Sequence, residues 1–125
     1  MTEYETILLK IEAANLAAQL MASAMASMGL YITVVSGYLI ISYLVGAKLS
    51  KMQNIIVSIL FITSALFMIL GVYLHMQRAH YWANLYSSNP NVYLYSVVCT
   101  SIFLMGIIAA LKFMHDIRKN KVSDI

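Results

Sequence analysis

The sequence predicts an all-α fold: a three-span helical membrane protein with an amphipathic N-terminal helical extension, in a single domain. Three observations carry that reading. Of the 125 residues, 62% are hydrophobic and 10% are charged, against roughly half and a quarter in soluble domains. The charges fall into four clusters: Glu3, Glu5, Lys10 and Glu12; Lys48 and Lys51; Arg78 alone; and Lys112, Asp116, Arg118, Lys119, Lys121 and Asp124. Between the clusters run charge-free stretches at 13–47, 52–77 and 79–111, each long enough for the 20 or so apolar residues that cross a hydrocarbon core about 30 Å thick.

The first charge-free stretch has 35 residues, about 52 Å as a helix, too long for one crossing and too short for two with a turn. Measured back from Lys48, its span falls at Ala26 to Gly46. The remainder, Thr2 to Met25, is rich in Ala, Leu and Glu and free of Pro and Gly. It is expected to form a helix outside the membrane or lying in its interface.

The second span, Asn54 to Leu74, holds thirteen Leu, Ile, Phe and Val residues, worth roughly −6 kcal/mol on the insertion scale. The third, Val92 to Leu111, holds ten. It opens behind Asn89-Pro90, where Ser88 or Asn89 suits the cap and Pro90 the first turn. Lys112 closes it. Because the third span starts near Pro90, the segment 76–87 is expected to bend away from the second span as a short interfacial helix.

Lys and Arg in short flanks mark the cytoplasmic side of a membrane protein. The N-terminal flank and the loop after the second span carry Lys10 and Arg78, whereas the first turn and the tail carry Lys48, Lys51, Lys112, Arg118, Lys119 and Lys121. Six against two predicts an outer N-terminus and a cytoplasmic C-terminus, in a bacterial inner membrane. The chain opens Met1-Thr2-Glu3-Tyr4-Glu5 without the basic start of a cleaved signal, so the N-terminus is expected to be retained. Cys99 is the lone cysteine, which excludes an intrachain disulfide.

The most specific pattern runs along the first helix. Glu12, Asn15, Gln19, Ala22, Ala26, Gly29, Thr33 and Ser36 follow steps of three and four, a spacing that keeps them on one face. Helices in lipid associate through small residues and hydroxyl or amide hydrogen bonds, and both Ala22–Ala26 and Gly29–Thr33 have small-xxx-small spacing. The seam Gln19, Ala22, Ala26, Gly29, Thr33 and Ser36 is therefore expected to meet protein. The first reading packs it against the other two spans of the same chain; the second brings copies together in an oligomer. Asn54 with Ser58, Ser64 with Gly71, and Gly106 with Ala110 read as smaller helix contacts of the same kind.

Five of the nine tyrosines and the only tryptophan fall between Tyr73 and Tyr95, marking an outer interface. Tyr73, His75, Arg78, His80, Tyr81, Trp82 and Tyr86 compose it. His75 and His115 fall at opposite ends of the spans, and His75 and His80 are five residues apart, not the three or four that one helix face requires. No metal centre and no cofactor is expected, beyond a lipid, quinone or pigment at the aromatic loop as a lesser reading.

Enzymatic chemistry finds no support, because all five carboxylates lie outside the predicted spans and the neighbours His115 and Asp116 have no obvious nucleophile beside them. The glycines at 29, 37, 46, 71 and 106 are too scattered to cradle a phosphate. No ionisable residue lies inside a span, which argues against a coupled transporter. The tail, with Lys112, Arg118, Lys119 and Lys121, reads as a topology signal or as a segment drawn to anionic lipid, each charge worth about 1 kcal/mol.

The function these features favour is a small non-enzymatic subunit that assembles with itself or with a larger membrane complex. Its partners are the lipid bilayer and other membrane protein, not nucleic acid. Three spans, an exterior N-terminus, a short chain and a basic tail are also similar to the general plan of the three-span phage holins, a resemblance of architecture that no sequence motif carries. It implies a pore former as the competing class.

Overall fold

The computed structural model describes residues 1–85 and 91–123, which form three helices: α1 (Glu3–Val45), α2 (Lys51–Asn84) and α3 (Asn91–Ser123). All three are long and apolar enough to cross a membrane. The cap residues Ser88 and Asn89, Pro90 and the interface residue Tyr86 lie outside the described residues, as does the side chain of Lys121.

Local chemistry explains where the first two helices begin. The Thr2 hydroxyl accepts from the Glu5 amide while the Glu5 carboxylate accepts from the Thr2 amide at 2.8 Å. Ser50 and Gln53 repeat this reciprocal cap at the start of α2, so donors with no partner inside the helix are satisfied. Between the two caps, Gly46 to Ser50 turn the chain back, closed by Lys48 and Leu49 amides donating to the Val45 carbonyl at 2.8 and 3.1 Å. A Cβ at Gly46 would collide with the backbone carbonyl of Ser42 and lie 2.8 Å from the Met114 sulfur, and because the carbonyl cannot yield as a side chain can, this position favours glycine.

One expectation about helix ends is borne out and another is corrected. The N-terminal segment is helical as expected and runs straight on from the first span, so that α1 is one unbroken rod of 43 residues that does not fold down into the interface. Nothing between Thr2 and Met28 offers a hinge: no Pro or Gly occurs there, and the Thr2 cap starts a helix that simply propagates. Likewise α2 does not bend at 76, but continues as helix through Asn84. The residues Met76 to Asn84 contain no breaker, and Met76 and Ala79 are buried against the bundle, which keeps the helix on its course.

The helices pack as an antiparallel hairpin with a third rod laid parallel to α1. Tyr38 stacks on Phe61 with ring centroids 4.0 Å apart, and its hydroxyl meets the Ser58 hydroxyl at 3.1 Å. Farther along, a Cβ at Gly71 would lie 3.7 Å from the Ser27 hydroxyl. This register brings the end of α2 to the level of the buried Ala13, leaving the first ten or so residues of α1 to project about 15 Å beyond it. The 34 residues of α2 make a rod about 51 Å long, exceeding the 30 Å hydrocarbon core by some 20 Å.

Packing occupies one narrow face of each rod. In α1 the buried positions Ala24, Tyr31 and Tyr38 recur every seven residues; in α2 they are Phe61, Ala65, Ile69, Val72, Met76 and Ala79. Elsewhere large apolar side chains stand open, among them Phe67 at 72%, Met105 at 70% and Ile108 at 67% exposure. Helices apolar on every side belong in lipid.

Candidate functional site

Three places on the bundle concentrate polar or small residues: the outward face of α1, the outer interface of α2, and the basic end formed by the α1–α2 turn and the end of α3.

The predicted seam is the first. Gln19, Ala22, Ala26, Gly29, Thr33 and Ser36 are all exposed, on the side of α1 away from Ala24, Tyr31 and Tyr38. Packing of this seam against the second and third spans is therefore corrected. The opposite face of α1 fills that role, because tyrosine side chains span to α2 and α3 where the seam's small residues would leave voids. A Cβ at Gly29 would meet nothing within 4 Å, and the Thr33 hydroxyl donates back to the Gly29 carbonyl at 3.0 Å. By the register above, Ala26 to Ser36 lie at the depth of the most apolar part of α2. Farther out, the exposed large apolar residues of α1 skip from Ile11 to Met25, so Asn15, Gln19 and Ala22 stand in a strip of short and polar side chains. Where the seam meets α2, a groove of about 340 Å³ opens between Thr33, Gly37 and Ile41 on one side and Leu60, Phe61 and Ser64 on the other.

Four of the six smaller-contact residues, Ser58, Gly71, Gly106 and Ala110, sit where helices of the chain meet. Ser58 pairs with Tyr38, Gly71 faces Ser27, and Gly106 admits the Tyr31 ring, whose hydroxyl would lie 2.5 Å from a Cβ at 106. That hydroxyl donates to the Phe103 carbonyl at 2.6 Å, with the two rings 4.5 Å apart. Ala110 is buried in the same cluster. Asn54 differs: its amide oxygen is buried without a partner among the described residues.

At the aromatic end of α2 the described residues of the predicted interface lie on one helix but not in one site. The His75 ring nitrogen Nδ1 is 2.6 Å from the Gly71 carbonyl of its own helix. His80 Nε2 lies 2.9 Å from the Asn84 amide nitrogen; its Nδ1 is buried with no partner among the described residues. Tyr81 meets Trp82 edge-on with centroids 5.7 Å apart, and Tyr73 and Arg78 are exposed. A recess of about 350 Å³ is lined by Gln77, His80, Tyr81, Asn84 and Leu85. Among the described residues no three His, Cys, Asp or Glu side chains come together as metal ligands.

The basic end holds a link that spacing alone does not reveal. Arg118 Nη1 donates to the Gly46 carbonyl at 3.2 Å and to the Leu49 carbonyl at 2.9 Å. It satisfies two carbonyls of the α1–α2 turn, that of Gly46 standing at the α1 terminus, where a cation also complements the helix dipole. Lys48, Lys51, Lys112 and Lys119 remain exposed around it. The residues missed at sequence level are thus Tyr31, Tyr38, Ser42 and the Arg118 acceptors. One signal was present: two tyrosines seven residues apart inside a span, each needing a hydrogen-bond partner in lipid.

No family model matches this chain, and neither a curated protein nor a solved structure matches it. Its function is argued from its own geometry.

Proposed function

We propose that this protein is a non-enzymatic membrane subunit that self-assembles through the outward face of α1. The observation that carries the reading is the exposure of Ala26, Gly29, Thr33 and Ser36 at mid-depth. Without hydrophobic driving force between helices in lipid, small residues favour association by letting backbones approach closely. A face of Gly, Ala, Thr and Ser gains little from acyl chains and much from a second helix. The excess of lysines at the turn and tail supports a cytoplasmic location for that end and an outer N-terminus, in a bacterial inner membrane.

The test is mass in mild detergent. The wild type is expected at a multiple of 14.0 kDa, and Gly29→Leu or Ala26→Leu at the monomer value. Unchanged mass in both variants rejects the reading. Induced expression separates a structural assembly from a pore: loss of membrane potential in cells making the wild type, but not Gly29→Leu, would show that the assembled seam conducts.

A further inference from the structure

A second groove lies on the other flank of α1, between α1 and α3, with a volume of about 590 Å³. Gly106, Ala109 and Ala110 form its floor and Val35, Leu39, Tyr43 and Phe113 its walls. Its lining is aliphatic and aromatic, and it runs lengthwise along the bundle. Tyr43 and Phe113 stand at its lower end, three residues before Gly46 and five before Arg118, so the slot descends towards the basic end. There Lys48, Lys51, Lys112 and Lys119 are exposed, with Asp116 the one acid near them among the described residues, and none is drawn into an ion pair there. Arg118 is already committed to the turn carbonyls.

An apolar slot that descends towards a cluster of exposed lysines fits a chain of methylenes ending in an anion. We propose that the α1–α3 slot holds one acyl chain of an anionic phospholipid from the leaflet on the lysine side, its phosphate held by Lys48 and Lys112. The small floor residues give the chain its depth. The phosphate sits where juxtamembrane lysines attract anionic headgroups.

The experiment uses the full chain in nanodiscs of mixed phosphatidylcholine and phosphatidylglycerol, released into mild detergent for native mass measurement. The wild type is expected to retain phosphatidylglycerol in preference to phosphatidylcholine. Lys48→Gln with Lys112→Gln should weaken that preference, by about fivefold for each lysine. Ala109→Phe, at an exposed position in the slot, should abolish retained lipid while helical circular dichroism is unchanged. Lipid retained in the bulk ratio by the wild type, or unchanged selectivity in the lysine pair variant, overturns the proposal. So does undiminished retention by folded Ala109→Phe. Because mass reports copy number and bound lipid together, a monomer carrying phosphatidylglycerol supports the slot even where self-assembly fails.

Discussion

The two long faces of α1 use similar chemistry in opposite ways. The inward face carries Ala24, Tyr31, Tyr38 and Ser42, all buried, with hydroxyls satisfied by Phe103, Ser58 and Tyr38 itself. The outward face carries Ala22, Ala26, Gly29, Thr33 and Ser36, all exposed. Both are studded with small and hydroxyl-bearing residues, so residue type does not say which one faces the bundle. Reach does. A tyrosine hydroxyl can cross to a backbone carbonyl on a neighbouring helix, provided the neighbour supplies a glycine at the crossing. On the outward face nothing reaches, and only another backbone brought very close would profit from it.

The comparison breaks most visibly at Gly106. Gly106→Leu forces the Tyr31 hydroxyl away from the Phe103 carbonyl and overpacks the crossing, with an expected loss of about 2–4 kcal/mol. Unfolding by sodium dodecyl sulfate in mixed micelles, followed by circular dichroism, measures it; a loss below that of Tyr31→Phe would show the crossing to be loose. Arg118→Met comes next. It removes a charged donor from two turn carbonyls and is expected to destabilise by about 1.5 kcal/mol in the same titration, with faster labelling of a cysteine placed at Ala47.

Tyr31→Phe deletes one hydrogen bond and leaves the ring tilted against Phe103. An interhelical bond of this kind in a membrane averages about 0.6 kcal/mol, so a loss near that value is expected, and no loss would show that the hydroxyl finds another acceptor. The smallest effect on the fold belongs to the outward face. Gly29→Leu should leave monomer stability within about 0.5 kcal/mol, or raise it slightly through helix propensity, while abolishing assembly. A large destabilisation of the monomer would place this face in intrachain packing after all.

Much of the architecture was legible in the sequence because charge is the variable lipid cares about most. Three uncharged runs separated by Lys48–Lys51 and Arg78 could only be three rods. The helix ends were harder. The run from Met76 to Asn84 contains no breaker, and this local continuity outweighs the bilayer edge in deciding where α2 ends. The steps of three and four from Glu12 to Ser36 correctly put residues on one face, yet periodicity fixes relative direction only and cannot name a neighbour. Tyr31 and Tyr38 do not stand out by residue type in a chain with nine tyrosines, although their seven-residue spacing is the register of the packed face. Arg118 was counted as a topology signal because its acceptors, Gly46 and Leu49, lie 72 and 69 residues away. A lone charge offers no hint of so distant a partner.

The Arg118 contact also imposes a chronology. In chain order the bend between α1 and α2 comes 72 and 69 residues before its guanidinium partner, and until α3 docks those carbonyls have only solvent to bond. Only when α3 has threaded back alongside does its guanidinium arrive to fasten that bend, so the last rod to enter the bilayer acts as the latch for the first two.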